Sequence, residues 1–344
     1  MENRSKSNDN FIAKLEAEAA DGKLPHKLKT ILENFYLCYR EAVEKGSGKG
    51  HDYHSQFLTF LELVKAELAS PFTFEPYHEH VRKPFDFYKF GNDFARPLID
   101  FTKSTVTGLH WADKATKQLE NQENVVFLAN HQTEADPQAI SLLLEKTHPL
   151  LAERTIFVAG ERVVTDPLAV PFSMGRNLLC IYSKRYIDHP PEEKAKKQLH
   201  NKRTMQLMSE LLSQGGKSIY VAPSGGRDRK NATGVVEVAA FDPQSIEMFY
   251  LMAERAEKPT HFYPLTLATY DLLPPPADIQ IELGETRVTQ MADIHLAFGP
   301  EIDMEHFPGS EIGDKHERRK MRANYIWNLV KEDYEKIIRA RQRS

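Results

Sequence analysis

Val125-Val126-Phe127-Leu128-Ala129-Asn130-His131-Gln132-Thr133-Glu134-Ala135-Asp136-Pro137-Gln138-Ala139-Ile140 is the stretch from which the architecture can be read. Its first five residues are apolar and short in extent, the pattern of a strand buried inside a sheet. Asp136-Pro137 predicts a helix start, with Asp136 as N-cap and Pro137 at the first helical position. A buried strand that gives way through a polar turn to a helix is the repeating unit of an α/β sheet.

Similar units lie on either side. Short β-rich runs occur at Thr155–Val158, Leu178–Tyr182, Ser218–Val221, Phe262–Ala268 and Ile279–Leu283. Helical stretches fall between several of them, notably Pro137–Lys146 and Lys194–Ser213. The alternation predicts an α/β fold, a mixed and largely parallel sheet flanked by helices. Before the sheet, Leu28, Ile31, Leu32, Phe35, Tyr39, Ala42 and Val43 recur at helical spacing, Gly46 to Gly50 break the pattern, and Phe57, Leu58, Leu61, Val64 and Leu68 resume it. Residues 1–75 are therefore expected to form a small helical-bundle domain, and 76–344 the α/β domain. Aromatic residues crowd Pro71 to Pro97, a connecting segment whose rings are expected to serve packing. A charged helix carrying Tyr325, Ile326, Leu329 and Val330 closes the chain from about Lys315.

The bulk composition narrows the class. In 344 residues, 41% are hydrophobic and 27% charged, enough apolar material for a packed core and against general disorder. A net charge of −4 speaks against a generic nucleic-acid binder. The two cysteines, Cys38 and Cys180, have apolar neighbours, which predicts buried thiols in a reducing compartment. No stretch approaches the roughly 18 apolar residues of a membrane span, and the first residues carry acids early and lack the apolar core of a signal peptide. The expectation is a soluble protein, cytosolic or else the mature form of an organelle protein, with peripheral membrane contact left open.

Ligands of such sheets bind beyond the carboxyl ends of the strands, so the residues just after each run deserve the closest reading. His131 leaves a buried strand there, and the turn could bring the Asp136 carboxylate back to the imidazole. Such a pair suits general-base chemistry, because the carboxylate fixes the tautomer and favours the imidazolium. Alone, each has a plainer reading, a helix cap and a loop histidine. Metal binding by His131, Glu134 and Asp136 lacks a second histidine at ligand-like spacing, and no metal is expected. The second point is Ala222-Pro223-Ser224-Gly225-Gly226-Arg227-Asp228-Arg229, where two glycines allow a tight turn and Arg227 and Arg229 offer forked donors for phosphate. It fits neither a P-loop nor a Gly-x-Ser-x-Gly elbow, and its plain reading is a turn with two solvated arginines. The third point, Tyr182-Ser183-Lys184-Arg185, supplies further cations. Between Arg176 and Lys230 stand twelve basic and five acidic residues, an excess that suits docking of an acidic partner.

Taken together, Asn130 to Pro137, Phe157-Val158-Ala159-Gly160, Asp166-Pro167-Leu168, Gly175-Arg176-Asn177-Leu178, Tyr182-Ser183-Lys184 and Ala222 to Arg229 resemble the soluble plastid-type glycerol-3-phosphate acyltransferases of the glycerolipid acyltransferase superfamily. The likeness spans roughly residues 120 to 285. Ser-Gly-Gly-Arg-Asp-Arg is its most specific part, since most relatives resemble Glu-Gly-Thr-Arg there. The resemblance implies His131 as general base and Asp136 as its partner. It further implies Arg227 and Arg229, with Lys184 or Arg185, as holders of the phosphate of glycerol 3-phosphate. It also implies acyl carrier protein or coenzyme A thioesters as co-substrates and no other cofactor. Tyr186 stands where the family tends to place a histidine, so no role is carried to it. The reaction implied is direct transfer of a fatty acyl group to the sn-1 hydroxyl, giving lysophosphatidate. The competing readings are a thioesterase or phosphate-ester hydrolase that activates water, an acyltransferase for another phosphorylated alcohol, and a carrier-binding module without turnover.

Overall fold

The computed structural model describes residues 10–46, 52–183, 187–276 and 284–343. Three helices lead the chain, α1 (Asn10–Ala20), α2 (His26–Lys45) and α3 (Tyr53–Ala69). Next come β1 (Tyr77–His78), α4 (Phe87–Ala95), β2 (Thr105–Thr107), α5 (Leu109–Glu120) and β3 (Asn124–Ala129). The alternating part continues through α6 (Asp136–Leu144), α7 (Pro149–Arg154), β4 (Ile156–Gly160), α8 (Val170–Ser173), β5 (Asn177–Ile181), α9 (Lys194–Gln214) and β6 (Ser218–Val221). A two-stranded ribbon, β7 (Arg229–Lys230) and β8 (Val236–Glu237), precedes α10 (Pro243–Arg255), β9 (Thr260–Ala268), β10 (His295–Phe298) and α11 (Lys315–Arg341).

Eight strands form one sheet among the described residues, in the order β1-β5-β4-β6-β3-β9-β10-β2. Its five central strands, β5, β4, β6, β3 and β9, run parallel. β1 pairs antiparallel with β5 and β10 antiparallel with β9, while β2 runs parallel to β10, so the sheet is mixed and largely parallel, as expected. The run at Ile279–Leu283 lies outside the described residues. The runs that were legible became strands whose ends lie within two residues of the expected ones, Ser218–Val221 matching β6 outright, while β1, β2 and β10 went unread, the two or three residues of β1 and β2 being too few to show a period.

Every residue of β3 is buried. Val125, Phe127 and Ala129 face the core beneath α5, α6 and α7, with Ala112, Ala115, Ile140 and Leu151. Val126 and Leu128 point to the other face, where Met208, Leu212, Phe249, Ala323 and Ile326 pack from α9, α10 and α11. Helices on both faces explain why the strand is apolar throughout rather than alternating.

The N-terminal helices bury their apolar stripes in a third core, and this core continues without a break into Phe90, Phe94, Ala139, Leu142 and Leu168. The aromatic connecting segment thus packs, as its sequence suggested. Phe57 is fully buried at the centre, in ring contact with Phe11, Phe35, Tyr36, Tyr39, Phe60 and Phe94. Truncating a buried phenylalanine costs about 3–5 kcal/mol. Phe57→Ala is therefore expected to lose that much in urea unfolding. A loss below about 1 kcal/mol would show that the bundle does not stabilise the fold.

Candidate active site

Because β6, β3 and β9 lie side by side and run parallel, their carboxyl ends open at the same edge. The three segments that follow them meet there: Asn130 to Asp136 after β3, Ala222 to Arg229 after β6, and Thr269 to Leu272 after β9. Two of the three loops singled out in the sequence are thereby brought together. Lys184 and Arg185, together with Tyr186, lie outside the described residues.

The turn after β3 closes His131 onto Asp136, with Nδ1 at 2.7 Å from Oδ2. A carboxylate only accepts, so the imidazole proton sits on Nδ1 and Nε2 keeps its lone pair for a substrate proton. The imidazole is partly exposed, its side chain at 30%, while the carboxylate is shut from solvent. Asp136 Oδ2 also accepts from Gln132 N at 2.8 Å, and Oδ1 from Thr133 N at 3.2 Å, Thr133 Oγ1 at 3.3 Å and Thr269 Oγ1 at 2.6 Å. The expected capping role is corrected here. Ala135 occupies the N-cap, Asp136 is itself the first helical residue, and α6 has no side-chain cap. The carboxylate serves the preceding turn and the histidine, which leaves nothing for the amides of the helix.

In the loop after β6, Gly225 takes φ +65°, a conformation that suits glycine, and nothing lies within 4 Å of where a Cβ on Gly225 or Gly226 would stand. Ser224 Oγ donates to the Gly226 carbonyl and stands in no hydrogen bond to His131. Arg229 donates to the carbonyl of Pro276. Burial, with Arg227 nearby, shifts the Arg229 guanidinium downward, as expected for a cation held where it has too little counter-charge.

Arg227 is differently placed. It donates to both oxygens of Glu285, at 2.7 and 2.9 Å, and lies 3.9 Å from Glu134. Arg287 adds pairs to Glu134 at 2.9 Å and Asp166 at 3.4 Å, and Arg162 approaches Glu285 at 3.9 Å. Three arginines and three carboxylates thus form one network behind the loop. Glu134, considered above as a metal ligand, is spent on this network. Asp166 also accepts from Gly284 N and Leu168 N, which accounts for the Asp166-Pro167-Leu168 run.

Known proteins resemble the chain over most of its length. The Acyltransferase family model matches residues 111–268. The chloroplastic glycerol-3-phosphate acyltransferase of Spinacia oleracea is 38% identical over 335 residues, which covers 96% of this chain and 70% of that protein. A chloroplastic glycerol-3-phosphate acyltransferase of Cucurbita moschata is 42% identical over 303 residues, 87% of this chain and 66% of its own length. The chloroplastic enzyme of the same description from Arabidopsis thaliana is 36% identical over 334 residues, covering 96% and 72%. The chain belongs to this acyltransferase family.

Several residues of the candidate site carried no local signal. Arg287 and Glu285 are fully or nearly buried, yet they sit in a stretch with no apolar period. Thr269 ends a strand like many threonines. Only their partners, 58 to 153 residues away in sequence, give them meaning.

The network also sets an acid dependence. Burial would raise the Glu134 carboxyl, but Arg287 and Arg227 outweigh it and hold it below its ordinary 4.5. A carboxylate lowered on folding stabilises the protein above its unfolded value, and that stabilisation is lost as pH falls through the folded value. Removing one partner of a buried pair costs about 3–5 kcal/mol. Arg287→Met is therefore expected to lose about that much in urea unfolding at pH 7, with the deficit shrinking as pH drops below about 4.5. A deficit independent of pH would contradict the charge pairing.

Proposed function

We propose that this chain moves a fatty acyl group from an acyl carrier protein thioester, or from acyl-coenzyme A, to the sn-1 hydroxyl of glycerol 3-phosphate. The product is lysophosphatidate. The observation that carries the reading is the 2.7 Å His131–Asp136 pair with the arginine loop bonded directly to it, Asp228 N donating to the His131 carbonyl at 2.6 Å. A base and an anion site so joined suit an alcohol whose other end is a phosphate. The relatives' descriptions as glycerol-3-phosphate acyltransferases support that acceptor, and their description as chloroplastic supports a plastid compartment.

In the scheme, Arg229 and Arg227, with Lys184 or Arg185, bind the phosphate and turn the sn-1 hydroxyl toward Nε2 of His131. As the oxygen attacks the thioester carbonyl, Nε2 takes its proton and Asp136 stabilises the imidazolium. The C–S bond then breaks, and the leaving thiolate takes the proton back from Nε2. No covalent acyl-enzyme forms. Positioning supplies much of the rate, and general-base catalysis adds about 10²–10⁴. Arg227 enters on different terms from Arg229, since phosphate must share it with Glu285.

A carrier protein as donor draws support from α9. Lys194, Lys196, Lys202 and Arg203 are exposed along it, a basic face complementary to an acidic carrier. Lys197 is not part of that face. It is buried, donates to the His189 carbonyl at 2.7 Å and pairs with Glu161 at 3.3 Å.

Acyl transfer from labelled acyl carrier protein, with and without glycerol 3-phosphate, tests the proposal. Acceptor-dependent lysophosphatidate is expected from the wild type and should fall by at least about 10² in His131→Ala. Fatty acid released at the same rate without acceptor would mark a hydrolase instead. Arg229→Ala is expected to raise the acceptor KM by about tenfold or more, as loss of a charge-assisted bond to phosphate implies. An unchanged KM would remove Arg229 from the phosphate site.

A further inference from the structure

His131 is flanked by two buried amides, Asn130 and Gln132, and both lead to one carboxylate. Asn130 Oδ1 accepts from Leu267 N at 2.8 Å, and Asn130 Nδ2 donates to Leu267 O at 2.9 Å and to Asp228 Oδ2 at 2.8 Å. Gln132 Oε1 accepts from Thr269 N at 2.6 Å and Tyr270 N at 2.9 Å, while its Nε2 donates to Asp228 Oδ2 at 3.1 Å. The backbone of β9 and the turn after it therefore dictate which way both amides face. Neither can flip without setting oxygen against Asp228 and nitrogen against the backbone N–H groups. Asp228 Oδ1 takes a third donor, Ala239 N, at 2.9 Å.

Asp228 is fully buried. Among the described residues three donors and no acceptor surround its oxygens, so the group that fits is an ionised carboxylate, and a neutral carboxyl or amide would face at least one donor with a donor. Burial pushes its pKa up to about 6, against the opposing pull of Ala239 N–H, Asn130 and Gln132. The ionised form is thus the main one at neutral pH. Asp228 also stands between Arg227 and Arg229, and its own N–H donates to the His131 carbonyl. One residue thereby joins the loop of the base, the loop of the arginines and the end of β9.

We propose that Asp228 is a positioning residue of the transfer reaction, its buried carboxylate locking Asn130 and Gln132 and so holding His131 in register with the acceptor site. The proposal rests on the reaction described above. It assigns Asp228 no contact with substrate. Its effect falls on the alignment of Nε2 with the acceptor hydroxyl, where an error of about 1 Å costs on the order of 10² in rate.

The test compares wild type, Asp228→Asn, Gln132→Glu and the combined Gln132→Glu/Asp228→Asn variant in the transfer assay, with far-UV circular dichroism to confirm folding. Asp228→Asn sets amide against amide, and Gln132→Glu sets carboxylate against carboxylate. The combined change sets one carboxylate against one amide at that contact, with its second carboxylate oxygen still accepting from Thr269 and Tyr270, but it leaves the Asn130 amide nitrogen facing the new amide nitrogen, because both amides donate to the same Asp228 oxygen. Each single variant is expected to lose kcat by about tenfold to 10², with the acceptor KM within about threefold of wild type. The combined variant is expected to regain about tenfold over Gln132→Glu, whose two buried carboxylates it separates, and to match Asp228→Asn, since each keeps one donor facing a donor. Should Asp228→Asn fail to fold, the recovery of the combined variant over Gln132→Glu decides the matter. An unchanged kcat in Asp228→Asn, a change in KM alone, or a combined loss equal to the product of the single losses would overturn the proposal. A wild type that transfers nothing to glycerol 3-phosphate would instead sink the acceptor assignment. An active wild type with indifferent variants sinks only the role of Asp228.

Discussion

β3 ends at Ala129, opposite Leu265, while its neighbour β9 continues to Ala268. The backbone groups of β9 beyond that point are buried and need partners, since each one left unpaired costs about 1–3 kcal/mol. Asn130 meets this demand with its side chain, giving Leu267 one donor and one acceptor as a further strand residue would. Gln132 does the same for the amides of Thr269 and Tyr270. The sheet stays satisfied, yet the main chain after Ala129 is released to turn. That exchange of backbone for side chain is what allows His131 to stand at the mouth of a buried sheet.

The buried carboxylates around this turn are served in two ways. Glu134, Asp166 and Glu285 meet arginines in one chain of ion pairs. Asp136 and Asp228 meet amides, hydroxyls and backbone N–H groups instead. The difference matters for catalysis. Apart from His131, the described donors to Asp136 are neutral, so its charge is not already cancelled when an imidazolium forms beside it. Arginine in the place of Thr269 would pair Asp136 equally well and would weaken that response.

Much of this was legible in the sequence because it depends on local pattern. The apolar run Val125–Ala129, the polar turn and the helix after it predict a strand mouth, and the spacing of His131 and Asp136 lets a single turn close the pair. Helix α2 could be placed from Leu28, Ile31, Leu32 and Phe35 for the same reason. The support of the site was not legible, because it is built from residues far apart in the chain. Nothing near Arg287 announces that it will be buried against Glu134, and nothing near Thr269 points to Asp136. Asp136 also read as a helix cap, since Asp before Pro usually caps; the demand of the preceding turn took the carboxylate instead. Asp228, between two arginines in a glycine loop, looks solvated in the sequence until the strand beside it is known.

In the proposed reaction the base at the mouth of β3 and the arginine loop beside it bind the two ends of one acceptor. A crystal structure of the wild-type chain with glycerol 3-phosphate tests it most directly. The account expects the phosphate on Arg229, with the sn-1 hydroxyl oxygen within about 3.2 Å of Nε2 of His131, the reach of a catalytic hydrogen bond. A phosphate bound elsewhere, or a hydroxyl pointing away from Nε2, would contradict it.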